Sequence, residues 1–152
     1  MSAVEVVLAA ARERVAGKAY SGAVTPREAF ALVRLDARVK LIDVRTNAER
    51  DWVGKPVLPE SQHGAVQWST WPGAVPNSDF VQQLEALADK DDVLLFLCRS
   101  GVRSRHAATL ATQHGFANCY DILDGFEGDK DAQAHRKTVG GWCHAGLPWE
   151  GA

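Results

Sequence analysis

The chain has 152 residues, 46% of them hydrophobic and 24% charged, and a net charge of -2. That length suits one domain, expected over 1–152, with a sizeable core. A near-neutral balance gives no reason to expect nucleic acid or a membrane surface as partner. No apolar run approaches the ~18 residues a membrane span needs.

The chain begins MSAVEVVLAAARER, which lacks a basic start and carries Glu5 early, with Arg12, Glu13 and Arg14 after the apolar stretch. This predicts an amphipathic helix over 3–16 rather than a signal peptide, and 1–22 is read as an N-terminal helical extension. In TPREAFALVRLD, Thr25 is the expected N-cap, Pro26 holds the first helical position and Glu28 completes a capping box. KLIDVR (40–45) reads as a short buried strand, and Thr46 caps a short helix, NAERDW.

Residues 54–64 are rich in Pro and Gly and read as a loop. AVQW (65–68) is a predicted strand, followed by the loop STWPGAVPN and a helix, DFVQQLEALA, capped by Asn77 or Ser78. VLLFL (93–97) is the most apolar predicted strand and therefore central. A helix over 103–114 places Ala107, Leu110, Ala111 and His114 at helical spacing, with Gly115 to close it. NCYDIL (118–123) is the last predicted strand, and the segment 125–152 extends beyond it.

Strands alternating with helices predict an α/β fold with a parallel sheet covered on both faces. Ligands bind such sheets beyond the carboxyl ends of the strands. Two charged features fall there, DVR (43–45) and CRSGVR (98–103). The second sits at a strand end and a helix start, where unpaired amides and the positive end of the helix dipole favour an anion. Gly101 permits the turn that aims successive amides inward. Dipole and arginines both favour the thiolate of Cys98. Arg103, Arg105 and His106 put cations in the first helical turn, the end that disfavours them, and an anionic ligand or sulfur would relieve the conflict. Arg99 and Arg103 can present planar forks to an oxyanion. The alternative is that Cys98 is a small buried hydrophobe.

The chain resembles the rhodanese-like sulfurtransferases, as a single-domain member. The resemblance lies in LIDVRTNAER, HGAV, FLCRSGVRS, YDILDGF and GGWCHAGLPW, from about Thr25 onward. It implies a three-layer α/β/α fold with a central parallel five-stranded sheet. It implies that Cys98 carries a sulfane sulfur as a persulfide, cradled by the backbone of Arg99, Ser100, Gly101, Val102 and Arg103. A small anionic donor, thiosulfate first, would load Cys98, and a thiol, cyanide or a protein acceptor would unload it, with no metal or organic cofactor.

Two other functions remain to be weighed. Cysteine-dependent phosphatases and arsenate reductases close a similar cradle with C-x5-R, whereas Cys98 to Arg103 is C-x4-R, a ring better sized for one sulfur. Rhodanese-like domains also serve as non-catalytic binding or regulatory modules, usually after loss of the loop cysteine.

Asp43 and Arg45 either shape the site rim or form a structural ion pair, and His106 could touch substrate. Cys119 reads as an inert core thiol, and Cys143 as a bystander or a second sulfur acceptor. Three widely spaced cysteines without C-x-x-C or H-x-x-x-H spacing predict neither a disulfide framework nor a zinc site, and suit a reducing, cytoplasmic setting. Trp52, Trp68, Trp71, Trp142 and Trp149 are expected to pack the core and pin loops, the last two stapling the tail. The long segments 54–64 and 125–141 are expected to wall the Cys98 pocket.

Overall fold

The computed structural model describes residues 2–151. Its centre is an all-parallel sheet of five strands: β1 (Gly22–Val24), β2 (Val39–Asp43), β4 (His63–Ala65), β7 (Val93–Leu97) and β8 (Asn118–Ile122), in the order β1-β8-β7-β2-β4. Two small antiparallel pairs lie outside it: β3 (Lys55–Pro56) with β9 (Trp149–Glu150), and β5 (Ser69–Thr70) with β6 (Val75–Pro76). Among the described residues, five α-helices complete the fold, α1 (Ala3–Arg14), α2 (Pro26–Leu35), α3 (Asn47–Trp52), α4 (Phe80–Leu87) and α5 (Val102–Gln113), with one 3-10 turn at Glu60–Gln62. Among the described residues no helix is long and apolar enough to cross a membrane.

Strand alternation sorts the core into two layers. Leu41, Leu95, Leu97, Tyr120 and Ile122 face α1 and α2, through Leu8, Ala11, Ala29, Leu32 and Val33. Ile42, Leu94, Phe96, Cys98 and Cys119 face α4 and α5, through Phe80, Leu84, Ala107, Ala108 and Ala111. The expected α/β/α layering and five-stranded parallel sheet are both present.

The capping boxes are as expected. Thr25 and Glu28 exchange hydrogen bonds at the start of α2, and Thr46 and Glu49 do the same at α3. Several elements differ: the strand read at 40–45 is Val39–Asp43, the helix read at 103–114 is Val102–Gln113, and the loops read at 54–64 and 69–77 carry β3, the start of β4, β5 and β6. The strand expected at 65–68 begins at His63, and only Ala65 of AVQW belongs to it. Val66 and Trp68 still donate to the carbonyls of Asp43 and Val44, so the chain runs beside β2 without full strand geometry. Neither Asn77 nor Ser78 caps α4: Asp79 holds that position, and the Asn77 side chain accepts from its amide in a local turn. β1 was not predicted, being three buried residues with no alternation to read. The first helix ends at Arg14 rather than at 16.

The C-terminal segment packs on the α1/α2 face. Phe126 and Trp142 are fully buried there, and the Trp142 indole N–H donates to the Pro148 carbonyl at 2.8 Å. Trp149 sets its ring edge-on to Phe126 and enters the β3–β9 pair. These two tryptophans staple the tail, as their positions suggested.

Candidate active site at the end of the central strand

Cys98 follows directly on β7 and is 1% exposed. Gly101 precedes α5 with φ +112°, a conformation that side chains disfavour. The turn brings its amide back to donate to Cys98 Sγ at 3.0 Å. No side chain caps α5, so the amides of its first turn are left to the loop. Cys98, positive-φ Gly101 and the uncapped start of α5 thus lie together within CRSGVR.

The loop is braced from behind by backbone. Phe126 N–H donates to the Cys98 carbonyl at 2.8 Å, and Glu127 and Gly128 N–H both donate to the Arg99 carbonyl. Gly125 sits at φ +63°, where an added Cβ would collide with the Cys98 carbonyl. Segment 125–128 therefore supports the loop floor and does not wall a pocket.

Arg103 differs from expectation. Its guanidinium makes a two-pronged ion pair with Glu49, at 2.6 and 2.9 Å, so its fork is occupied by α3 and not offered to a ligand. Glu49 also accepts from the Thr46 amide and hydroxyl. Burial pushes the Glu49 carboxyl up, but Arg103 and Thr46 outweigh it and hold the group below its ordinary value. Arg99 is exposed at the rim, Ser100 is half-buried and Val102 faces solvent.

The other candidate residues lie apart from the sulfur. Asp43 and Arg45 are both fully buried, paired at 2.9 and 2.6 Å, with Arg50 reaching the same carboxylate at 3.2 Å. Arg45 lies over the Phe126 ring, 4.2 Å from its centroid, on the face of the sheet opposite Cys98. This pair anchors the end of β2, and the Asp43 carboxylate adds to the field that holds Arg103 charged. His106 is exposed and stacks on Trp68 rather than turning to the loop. Cys143 packs with the α1/α2 core and Cys98 with the α4/α5 core, so the sheet separates them. Burial pushes the Cys143 and Cys119 thiols up to about 11, which keeps both protonated at neutral pH. All three cysteines are free.

Two residues missed in the sequence stand behind the sulfur. Ser104 Oγ lies 3.2 Å from Cys98 Sγ and donates to Asp121 Oδ1 at 2.5 Å. Both are buried, at 0% and 1% exposure. Burial pushes the Asp121 carboxyl up to about 7, with Ser104 and Arg105 pulling the other way. Only the parity of β7 and β8 could have signalled this. Phe96 pairs in register with Asp121, so Cys98 and Asp121 share the α5 face.

A cleft of about 740 Å³ opens beside the loop, and Arg99 and Arg103 are among its lining residues. Its walls are α3 and its C-cap, through Ala48, Trp52 and Val53, and the β5–β6 hairpin, through Ser69, Trp71 and Ala74. The expected walls, 54–64 and 125–141, contribute no lining residue. Residues 54–64 are drawn to the tail by the β3–β9 pair and by Val57 N–H donating to the Pro148 carbonyl. Trp52 is 81% and Trp71 72% exposed, so these two do not pack the core as expected.

Residues 28–132 match the rhodanese-like domain. An uncharacterised protein of Rickettsia conorii is 39% identical over 112 residues, which cover 72% of this chain and 81% of that protein. The thiosulfate sulfurtransferase GlpE of Haemophilus influenzae is 28% identical over 125 residues, covering 82% and 90% respectively. The crystal structure of Rv0390 from M. tuberculosis superposes with a TM-score of 0.80 at 39% identity, over 88% of this chain and 99% of that one. The domain match takes in four of the five sheet strands and the whole Cys98 loop, and on that ground the chain belongs to the rhodanese-like domain family.

Proposed function

We propose that the protein is a sulfurtransferase that carries sulfane sulfur on Cys98. The observation that supports this most directly is the Gly101 amide aimed at Cys98 Sγ from 3.0 Å, at the uncapped start of α5. The Cys98 thiolate attacks the outer sulfur of an anionic donor, thiosulfate first. The donor's S–S bond breaks and sulfite leaves with the electron pair. Loop amides over 100–103 stabilise the negative outer sulfur of the persulfide, as an oxyanion hole stabilises oxygen. A thiolate or cyanide then attacks that outer sulfur and restores the Cys98 thiolate, so that one transfer becomes two displacements.

Arg99, exposed at the rim, draws in the donor's charge, and Arg103, held by Glu49, closes the ring. The Trp52–Trp71 cleft is far larger than thiosulfate and suits an acceptor with an apolar body, a larger thiol or a protein cysteine. Three free cysteines fit a reducing, cytoplasmic setting.

The test is the intact mass of reduced protein after incubation with thiosulfate. A gain of one sulfur, removed by cyanide and absent in Cys98→Ser, is the expected result. No gain with any sulfane donor but turnover of an aryl phosphate would replace the reading with a phosphatase. Inertness in both assays would leave a binding module.

A further inference from the structure

The hydrogen bonds behind Cys98 form a directed chain. An ionised Asp121 only accepts, so Ser104, with one hydroxyl proton, must donate to it. The Cys98 S–H then donates to Ser104 Oγ, across 3.2 Å. If the carboxyl is protonated instead, every bond reverses: Asp121 donates to Ser104, and Ser104 donates to the sulfur. The reversed chain gives a thiolate two donors, the Ser104 hydroxyl and the Gly101 amide.

From this geometry we infer that Asp121 is the proton store for Cys98, taking the thiol proton through Ser104 when the nucleophile forms. The inference rests on Cys98 being the nucleophile of the proposed function. The step balances within the chain. The proton on Cys98 Sγ passes to Ser104 Oγ as the Ser104 hydroxyl proton passes to Asp121 Oδ1. The sulfur keeps the bonding pair, and the charge moves from carboxylate to sulfur with no net change in the buried site.

Three further observations fit. The carboxyl is poised near neutrality, about 7, where a proton can be accepted and returned. Asp121 Oδ2 is buried without a hydrogen-bond partner among the described residues, so the ionised form is poorly satisfied and a proton relieves it. The charged and titratable groups around it are few: Arg105 from α5 favours the ionised form, Asp124 from the following turn opposes it, and Tyr20 lies near from the segment before β1. Asp121 is thus a positioning residue that acts through Ser104 and touches no substrate.

Two buried groups that share one proton titrate as a pair, in two macroscopic steps. The test is the rate of alkylation by iodoacetamide against pH, read at the Cys98 peptide by mass spectrometry, which needs no sulfur donor. The wild type is expected to rise in two steps. Asp121→Asn, folded by circular dichroism, is expected to rise in one. Ser104→Ala should also give one step, with the rate at neutral pH lowered on the order of tenfold by loss of the hydroxyl donor. Ser104→Thr, which keeps the hydroxyl, should restore the two-step profile. A single step in the wild type overturns the inference, and that measurement stands whether or not a variant folds. A two-step profile left unmoved by Asp121→Asn overturns it as well. Loss of sulfur transfer with the two-step profile intact would count against the proposed function and leave the proton store standing.

Discussion

Glu49 grips both terminal nitrogens of Arg103, at 2.6 and 2.9 Å, and so ties the Cys98 loop to α3. The pair is largely shielded, with side-chain exposures of 21% and 25%. Glu49→Gln should therefore destabilise the protein by about 2 kcal/mol, the worth of a charge-assisted bond. Burial opposes ionisation of Glu49, but its partners prevail and its folded value lies below the ordinary 4.5. The stabilisation is then fully present above that ordinary value and lost as pH falls through the lowered one. Urea unfolding should show the gap between wild type and Glu49→Gln narrowing on acidification. A gap independent of pH would mean that the pair's charge contributes nothing.

The buried Asp43–Arg45 pair calls for a different outcome. Arg45→Ala would leave a fully buried carboxylate with Arg50 as its remaining cation, beside the amide of residue 45, and would strip the cation from Phe126. A loss of about 3–5 kcal/mol is expected. The folded fraction should still gain one sulfur from thiosulfate at the wild-type rate, because the pair lies across the sheet from Cys98. Slow loading in fully folded Arg45→Ala would return the pair to the active site.

Much of this was legible in the residues, and the failures share a cause. CRSGVR after an apolar strand disclosed the tight turn into α5 because helix-end physics is local: amides, dipole and glycine lie within six residues. The capping boxes at Thr25 and Thr46 were readable for the same reason. The roles of Arg103, Ser104 and Asp121 depend on pairing across the fold, and Glu49 is 54 residues from Arg103. The register of β7 on β8 sets Asp121 behind Cys98, and neither strand announces it alone. The cleft walls were misassigned because length drew attention to 54–64 and 125–141, while the short β5–β6 hairpin carries Trp71 to the rim.

Asp121 makes a prediction about stability with the opposite sign to Glu49. Its folded value stands at about 7, raised chiefly by burial from an ordinary 3.8. The folded protein thus holds a proton that the unfolded chain releases, and stability falls as pH rises between those values. Above about 7 the full cost is present, up to about 4 kcal/mol for a shift of this size. Asp121→Asn should be more stable than wild type at alkaline pH, with the advantage shrinking towards pH 4. Denaturant midpoints across that range check it. A variant that is less stable than wild type at every pH would show that the carboxylate is satisfied when ionised.

Arg99 and Trp71 line the same cleft but should serve different substrates. Arg99 is exposed and has no carboxylate partner among the described residues, so its charge is free for the donor. Arg99→Ala should lower kcat/KM for thiosulfate about tenfold, with an effect that weakens as salt is added. Alkylation by neutral iodoacetamide should hardly change. Trp71 offers a bare aromatic face, 72% exposed, and an aromatic contact is worth about 0.5–1.5 kcal/mol. Trp71→Ala should raise KM for an aromatic thiol acceptor several-fold while leaving cyanide, which has no body to stack, unaffected. The proposed two-displacement chemistry would let donor and acceptor constants be measured separately in steady state. If Trp71→Ala weakened thiosulfate and cyanide as much as the aromatic thiol, the hairpin would be holding the loop in shape, and the cleft would have no part in choosing the acceptor.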